Sequence, residues 1–285
     1  MAGTLFVVAT PIGNLGDLSV RARETLQSCA LIAAEDTRHT GILLKHFGIE
    51  TPQLSLHDHN EQLRAVEIIA HLRDGKSVAL VSDAGTPAIS DPGFELVRAA
   101  AAAGMQIAAI PGPCAAIAAL SIGAQPTDRF CFEGFLPARG AARRQRLELL
   151  RQETRTLVFY ESPHRVYETL EDCVVSFGEG RAATVVREAT KLHETTYRGS
   201  LLELLNIAKA DADFTRGEIV LLIAGAAPST APHDEERAVL DKVLTVLLAE
   251  LPLKQAARLA AQITGARDNE TYKRALHLKE QSAPH

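Results

Sequence analysis

The chain has 285 residues, of which 46% are apolar and 23% are charged, and this composition excludes a disordered or a fibrous protein. Its length predicts about two domains. The 30 basic and 35 acidic residues give a formal net charge of -5, so any contact with nucleic acid requires a local basic patch.

Short β-rich runs alternate with helical runs over the first 112 residues. The predicted strands are residues 5–9, 31–34, 53–57, 78–82 and 106–110. Ser19 and Asn60 stand at the positions of N-caps, just before helical patterns. This alternation predicts a first domain, residues 1–112, in which helices cover a mainly parallel sheet.

The second half of the chain continues the pattern with longer strands. The predicted strands are residues 130–135, 156–160, 182–187, 194–198 and 218–224, and the predicted helices are residues 141–152, 165–176 and 201–208. The strand at 194–198 follows its predecessor after a short connection, which indicates an antiparallel pair. Residues 113–226 are therefore predicted to form a second, mixed α/β domain.

A linker rich in Pro, Ser and Ala is predicted at residues 226–233, and residues 234–285 then show an almost wholly helical pattern. A helix that carries Lys254 and Arg258, a turn at Gly265 and a second helix have the shape of a helix-turn-helix. A plain helical hairpin that serves only for packing has the same pattern. The tail is predicted to be a small all-helical extension of an α/β protein.

The cysteines are widely spaced and include no CxxC pair, which disfavours a zinc or redox motif and is typical of reduced thiols in a cytosol. The N-terminal residues lack the basic and long apolar regions of a signal peptide. The apolar stretch 99–123 is interrupted by Gly and Pro, which excludes a continuous membrane helix there. We therefore expect a cytoplasmic protein that does not enter a membrane.

Three unusual loops follow predicted strands, namely PIGNLGD at 11–17, SDAGTPAISDPG at 82–93 and PGPCA at 111–115. Open α/β sheets bind ligands at the carboxyl ends of their strands, where Gly and Pro allow a close approach of the backbone. Ordinary turn chemistry explains any one of these loops, but the three together favour a pocket. The absence of a P-loop, of GxGxxG after a strand and of GxSxG disfavours a Rossmann dehydrogenase and an α/β hydrolase.

Polar clusters follow other predicted strands. Asp36, in the string EDTR, is either an N-cap or a functional residue. His57 and His59 have no fitting third ligand nearby, so no metal site is predicted. The strings ESPHR at 161–165 and REATK at 187–191 also end strands, and for the second a solvated ion pair is the alternative.

Residues 139–155, called the arginine arm below, contain six arginines and two glutamates, for a local charge of +4. The guanidinium fork matches the geometry of phosphate, although a solvated helix face is the ordinary alternative. RNA contacts are predicted in the arm and in the tail, at Arg139, Arg143, Arg144, Arg146, Lys254 and Arg258.

The ordered strings of the chain resemble one family. They are VATPIGNLGDLS, EDTRHTGILL, HDHNE, SDAGTPAISDPG, PGPCA, FEGFLP, FYESPHR, REATK and RGEIVL. Together they resemble the ribosomal RNA small subunit methyltransferase I family, which is part of the tetrapyrrole-methylase-like superfamily. The chain departs from the family pattern at Cys114, where Ser is expected, and at Asp58, where Glu is commoner.

The resemblance implies methylation of a ribose 2′-hydroxyl by S-adenosylmethionine, without a metal. The implied target is a cytidine in the decoding region of 16S rRNA within the small ribosomal subunit. The implied fold is two α/β domains of the tetrapyrrole-methylase type with the cofactor in the cleft between them, as a homodimer. By the same resemblance, the cofactor lies against Ser82, Asp83, Ala84, Gly85, Thr86, Pro87, Pro113, Cys114, Ala115, Tyr160, Glu161 and Ala189, with the strand at 218–221 as a further contact.

A ribose hydroxyl is a poor nucleophile, so its methylation requires a nearby base or a cation that stabilises the developing alkoxide. The candidate catalytic residues are Asp36, Arg38, His57, Asn60, Glu61 and Lys191, among which the base is not assigned. Two alternatives remain at this point. One is a methyltransferase that acts on a small tetrapyrrole, and the other is a ribosome-assembly factor that keeps the fold without catalysis.

Overall fold

The computed structural model describes residues 2–227 and 232–281. The chain divides into two compact units, Met1–Ala226 and Ala227–His285. Of the linker predicted at 226–233, residues 228–231 lie outside the described residues, and the first helix of the second unit begins at Pro232, inside the predicted linker.

The first sheet of the larger unit has five strands in the order β3-β2-β4-β1-β5. Its strands are β1 (Thr4–Val8), β2 (Leu31–Ala34), β3 (Gln53–Ser55), β4 (Val78–Val81) and β5 (Gln106–Ile110), and its helices are α1 (Val20–Ser28), α2 (Thr37–His46), α3 (Glu61–Arg73) and α4 (Phe94–Ala102). Every pairing in this sheet is parallel, which confirms the prediction. The carboxyl ends of all five strands therefore meet at one edge.

The two predicted helix caps differ in the structure. The Ser19 hydroxyl accepts a hydrogen bond from the Ala22 amide and caps α1 as predicted. Asn60 occupies the N-cap position of α3, but its side chain makes no capping bond. Its Oδ1 instead accepts the His57 amide at 2.9 Å, and its Nδ2 donates to the Ser55 carbonyl at 3.2 Å, so Asn60 holds the turn that precedes the helix.

The second sheet is mixed, as predicted, with the order β6-β7-β10-β8-β9. Its strands are β6 (Phe130–Phe135), β7 (Thr156–Glu161), β8 (Ala182–Arg187), β9 (Thr195–Ser200) and β10 (Ile219–Ile223), and its helices are α5 (Ala115–Ile122), α6 (Gly140–Leu149), α7 (Val166–Phe177) and α8 (Leu201–Ala210). Strands β6 and β7 are parallel, whereas β10 pairs antiparallel with both β7 and β8. Strand β9 is antiparallel to β8, as the short connection indicated.

Helix α5 was not predicted from the sequence. Its residues, AAIAALSI, are apolar on every face, so they lack the periodicity by which an amphipathic helix is recognised. Ala116, Ala119 and Leu120 pack against Val158 and Leu222 of the second sheet. The helix follows the PGPCA loop directly and so places its first turn at the edge where the strands of the first sheet end.

The smaller unit consists of α9 (Pro232–Glu250), α10 (Leu253–Thr264) and α11 (Asp268–Gln281). Gly265 ends α10 in the left-handed conformation, with φ of +73°, which a residue with a Cβ adopts only with strain. Leu244, Ala257 and Ala275 form the centre of its core. No helix in the described part of the chain is both long enough and apolar enough to cross a membrane.

Candidate functional site

A cavity of about 370 Å³ lies at the carboxyl ends of strands from both sheets of the larger unit, and it is called the cofactor cavity below after the cofactor that the family resemblance predicts there. Its lining residues are Ile12, Ala84, Gly85, Thr86, Ile89, Asp91, Cys114, Ala115, Phe135, Tyr160, Glu161, Ser162, Pro163, Val186, Ala189, Glu218, Ile219 and Val220. Most of these side chains are small or apolar, and Asp91 and Glu218 add two carboxylates. Such a lining is typical of a small-molecule site.

Eight of the twelve residues predicted to contact the cofactor line this cavity, namely Ala84, Gly85, Thr86, Cys114, Ala115, Tyr160, Glu161 and Ala189. The other four do not line it. Ser82 and Asp83 line a different cavity, Pro87 is buried, and the Pro113 carbonyl accepts the Thr86 hydroxyl at 3.0 Å. That last bond joins the loop after β4 to the loop after β5.

Several lining residues were missed from the sequence. Val186 lies within β8, away from any loop rich in Gly or Pro, whereas Phe135 ends β6 in the string FEGFLP, next to Gly134. Asp91 lies in the string SDAGTPAISDPG, so its position carried a signal that was not used. Ile12 lies in the string PIGNLGD, where it was likewise available.

The loops around the cavity contain backbone strain. Ala88 and Ser90, in the loop after β4, have φ of 66° and 68°, and Glu188 and Thr190, in the loop after β8, have φ of 54° and 67°. Residues with a Cβ seldom adopt such values, and they concentrate at functional sites. The strained residues thus flank the cavity on the sides of both sheets.

Hydrogen bonds of the half-buried Tyr160 and the buried Glu161 stiffen one wall of the cavity. The Tyr160 hydroxyl accepts the Ala116 amide at 3.2 Å and so caps the first turn of α5, and burial raises its pKa. The Glu161 carboxylate accepts hydrogen bonds from the Ser162 amide, from Arg165 and from the Thr169 hydroxyl. Because these groups occupy the Glu161 carboxylate, it is a structural anchor for the ESPHR loop.

A second, smaller cavity of about 160 Å³ adjoins the cofactor cavity, and its lining residues are Thr10, Pro11, Gly13, Leu15, His39, Thr40, Ile42, Leu43, Ser82 and Asp83. Thr10 and Gly85 form a two-bond antiparallel bridge between the cavities, with N···O distances of 2.8 and 3.1 Å. In the loop after β1, Pro11 and Gly13 line the second cavity, whereas Ile12 lines the cofactor cavity. The chain bends at Ile12 and Gly13, so these two neighbours lie at different cavities.

Carboxylates gather near the boundary of the two cavities. Burial raises the pKa of Glu35, with the negative charges of Asp83, Asp91 and Asp58 adding to the effect. Burial also raises the pKa of Asp91. The concentration of negative charge favours a cationic ligand in this part of the cleft.

Asp36 caps α2, which is one of the two roles that the sequence predicted for it. Its Oδ1 accepts the Arg38 amide at 2.8 Å, and its Oδ2 accepts Arg38 Nη2 at 2.7 Å. The Arg38 guanidinium holds the pKa of Asp36 well below its usual range. Asp36 is therefore a poor base near neutral pH, whereas the Arg38 side chain is 91% exposed beside the second cavity, whose lining includes the next residue, His39.

Glu61 lines neither cavity and has a structural role. It is buried, and its Oε1 accepts the Gly93 amide at 3.1 Å and the Leu96 amide at 2.9 Å. It thereby caps α4, whose N-cap residue is a glycine without a side chain. His57 is exposed, with its Nε2 3.1 Å from Asn60 Nδ2. Among the described residues, no group of three or more His, Cys, Asp or Glu side chains is placed to hold a metal ion.

Lys191 is the candidate catalytic residue that lies closest to the cofactor cavity. Its Nζ donates to Glu188 Oε1 at 2.9 Å and lies 3.3 Å from Oε2 of the cavity residue Glu218. Burial opposes its charge, but the hydrogen bond to Glu188 and the two carboxylate charges outweigh burial and raise the pKa of Lys191. A Cβ placed on Gly13 would lie 2.3 Å from Lys191 Cγ, so the lysine stem crosses directly over the loop after β1.

The arginine arm carries little free charge. Five of its six arginines pair with carboxylates, at Arg143–Asp172, Arg144–Asp172, Arg146–Glu133, Arg151–Glu148 and Arg155–Glu153. Three carboxylates from outside the arm, Glu133, Glu168 and Asp172, lower its net charge from +4 to +1. The predicted phosphate contact is wrong for Arg143, which is 3% exposed and donates to Asp172 at 2.7 Å.

The other predicted RNA contacts remain on surfaces. Arg139 is exposed at the N-cap of α6, and no ion pair of it occurs among the described residues. Lys254 and Arg258 are exposed one helical turn apart on α10. These two side chains therefore share one face of that helix.

The fold and the cleft define a class of protein. The model of the Tetrapyrrole (Corrin/Porphyrin) Methylases matches residues 4–205. The solved structure of uroporphyrin-III-C-methyltransferase from Thermus thermophilus is 18% identical, with a TM-score of 0.56, over 78% of this chain and 94% of its own. That of a cobalt precorrin-4 methyltransferase is 17% identical, with a TM-score of 0.58, over the same shares. At these identities the likeness shows the fold, which is the tetrapyrrole methylase fold.

The smaller unit and the whole chain narrow the class. The model described as RsmI C-terminal HTH domain matches residues 234–279. The ribosomal RNA small subunit methyltransferase I of Pseudomonas aeruginosa is 53% identical, over 99% of each chain. That of Escherichia coli O157:H7 is 51% identical, over 96% of this chain and 95% of its own. The chain belongs to the ribosomal RNA small subunit methyltransferase I family, a family of methyltransferases.

Proposed function

We propose that the chain methylates the 2′-hydroxyl of a cytidine in the decoding region of 16S rRNA, with S-adenosylmethionine as the methyl donor. The observation that carries the proposal is the full-length similarity to curated rRNA methyltransferases in a chain whose three Gly- and Pro-rich loops converge on one cleft. The similarity supports the reaction class, and the cleft supplies a place for a small cofactor beside a second cavity.

The cofactor cavity fits S-adenosylmethionine in size and in charge. Ala84, Gly85 and Ala115 keep it open, because their side chains are small or absent. Asp91 and Glu218 place carboxylates at a ligand that carries a sulfonium and an ammonium group. Cys114 gives the first turn of α5 no side-chain cap, and Tyr160 takes only the Ala116 amide, so the amides of Ala115 and Ile117 are left for the cofactor carboxylate.

When bound, S-adenosylmethionine supplies an electrophilic methyl group on a sulfonium. The protein residues would hold the acceptor hydroxyl in line and stabilise the negative charge that develops on its oxygen. Lys191 is suited to that second role, since it is cationic and lies beside Glu218 at the cofactor cavity. Asp36 and Glu61 are unsuited as bases, because protein groups occupy their carboxylates.

The substrate side of the proposal is an rRNA within the small ribosomal subunit. The exposed pair Lys254 and Arg258 in the smaller unit supports phosphate contact by the tail. Arg139 and Arg144, two exposed arginines of the arm, add a weaker contact. We expect the protein to act in the cytoplasm, where ribosomes are assembled, and to form a homodimer.

The test is transfer of labelled methyl from S-adenosylmethionine to isolated small subunits that lack the modification, followed by mapping of the labelled ribose. Label on one cytidine 2′-oxygen supports the proposal. Label on a tetrapyrrole offered in parallel, with none on the subunits, contradicts it in favour of a small-molecule methyltransferase. Cofactor binding without transfer to either substrate favours a non-catalytic assembly factor.

A further inference from the structure

The second cavity has its own chemical character. It is formed by the first sheet alone, from the loop after β1, the loop after β4 and helix α2. Leu15 and Ile42, which are 42% and 72% exposed, bring apolar surface to it from two different elements. His39 adds an exposed ring. Apolar and aromatic surface of this kind suits the flat face of an unstacked base.

Asp83 supplies the polar group of this cavity. Its Oδ1 accepts the Asp36 amide at 3.0 Å, which fixes the orientation of the carboxylate. Within residues 2–227 and 232–281, Oδ2 of Asp83 accepts no hydrogen bond from the protein. A fixed carboxylate with a spare oxygen accepts a hydrogen bond from an amino group, and in base recognition Asp and Glu accept from the exocyclic amine of cytosine.

We propose that the second cavity receives a base with an exocyclic amino group, and that Asp83 Oδ2 accepts from that group and so selects against uridine. The inference rests on the proposed function, since it names the residue that would read the target nucleotide. The bridge between Thr10 and Gly85 separates this base site from the cofactor cavity. A base held by Asp83 places its ribose at the boundary with the cofactor cavity. Arg38, paired with Asp36 and otherwise exposed, stands at the rim for a flanking phosphate.

The position of Asp83 next to Ala84 explains why sequence resemblance grouped it with cofactor residues. Ser82 and Asp83 line the second cavity, whereas Ala84, Gly85 and Thr86 line the cofactor cavity. One loop therefore serves both sites. A change at Asp83 should accordingly alter the choice of base much more than the affinity for cofactor.

The test compares Asp83→Asn with the wild type on two substrates, small subunits with cytidine and small subunits with uridine at the methylated position. Asn keeps an oxygen for the Asp36 amide but presents an amino group to the base, which now suits a carbonyl acceptor. The expected result is a fall of at least about tenfold in the ratio of kcat/KM for cytidine over uridine. Asp17→Asn, the same change at an exposed position that lines neither cavity, is the matched control and should leave that ratio unchanged.

Each outcome has a distinct meaning. Absence of transfer by the wild type to either subunit contradicts the proposed function. An active Asp83→Asn protein with the wild-type ratio overturns the base site, and a lower rate at an unchanged ratio assigns Asp83 to a ribose hydroxyl instead. If Asp83→Asn is too slow to assay, NMR titration of the cofactor-loaded proteins with cytidine and uridine decides. Preference for cytidine in the wild type that is lost in the variant supports the site, and equal binding overturns it.

Discussion

The cleft and the arginine arm use charge in opposite ways. The arm has the densest run of basic residues in the larger unit, yet five of its six arginines are paired, and Arg143 is buried against α7. The cleft has no such run of basic residues, but Asp83 keeps a carboxylate oxygen free of protein donors in the part of the chain that is described, and Lys191 bridges two carboxylates at the cofactor cavity. Charge density is therefore a poor guide to function in this molecule.

The difference has a physical origin. Surface arginines are stabilised by hydrogen bonds to neighbouring carboxylates and by packing of the aliphatic part of their side chains. The charge of an arginine-rich helix on a folded domain is therefore readily neutralised. Strand ends at one edge of a sheet leave space because the loops turn away there, and small residues keep that space open. Four predictions can break or sharpen this contrast, in order of expected effect.

Arg143→Ala should act on stability. The change removes a buried partner of Asp172, and we expect a loss of about 3 kcal/mol in the free energy of unfolding. Urea denaturation at pH 7 measures it. Arg144→Ala, which removes a 55% exposed partner of the same carboxylate, is the matched control and should cost less than about 1 kcal/mol. Similar losses of unfolding free energy in both variants would show that the buried Arg143–Asp172 pair contributes no more to stability than the exposed pair.

Lys191→Met should act on the reaction. Removal of the cation should lower the single-turnover rate of methyl transfer by about a hundredfold, while cofactor affinity changes little. Lys191→Arg keeps a cation and should restore part of the rate. The neighbours of Lys191 raise its pKa above the ordinary 10.5, so the side chain stays protonated up to that pH. Deprotonation of Lys191 should therefore cause no loss of rate between pH 7 and pH 9. A wild-type rate in Lys191→Met would remove this residue from the mechanism.

Ala115→Leu should act on cofactor binding. Its side chain lines the cofactor cavity at the start of α5, so three added carbons occupy ligand space. We expect the Kd for S-adenosylmethionine to rise at least about tenfold, which is about 1.4 kcal/mol. Calorimetry measures it, with Ala101→Leu on the exposed face of α4 as control. Gly85→Val is a less clean variant, since Gly85 has φ of +83° and an added Cβ would lie 3.3 Å from Ile12.

Replacement of Arg139 and Arg144 by Ala should have the smallest effect. Each phosphate contact contributes about 0.7–0.9 to the slope of log affinity against log salt, so the double change lowers the slope for subunit binding by less than about 2. The same double change at Lys254 and Arg258 in the tail should lower it at least as much, since these side chains have no ion pair in the described structure. A larger loss in the arm than in the tail would restore the arm as the main RNA surface.

The sequence was sufficient for the sheets and for the loops that end them. Alternation of strands and helices predicts the parallel sheet, and a topology of that kind brings strand ends together whatever the intervening residues are. A pocket lined by the SDAGT and PGPCA strings could be predicted for that reason, and the family resemblance assigned that pocket to the cofactor. The place of Val186 in that pocket could not be predicted, because strand residues that face a cavity and strand residues that face a core have the same chemical character.

Partners of charged groups were beyond the reach of the sequence. Asp172 is 29 residues from Arg143, and Glu61 is 32 residues from the Gly93 amide that it accepts. No local pattern joins such pairs. Glu61 therefore resembled a catalytic candidate, and Arg143 a phosphate ligand, until their contacts were known. Helix α5 was missed for a related reason, since a helix that is apolar on all faces has no period to detect.

The bridge between Thr10 and Gly85 makes the length of the loop after β1 as important as its composition. Ile12 lines the larger cavity between Pro11 and Gly13, which line the smaller one, so insertion or deletion of one residue between Thr10 and Ile12 would move Ile12 to a position that lines the smaller cavity. An aliphatic side chain would then enter the smaller cavity, and the larger would lose part of its wall. This loop should therefore tolerate substitutions but not the insertion or deletion of a single residue.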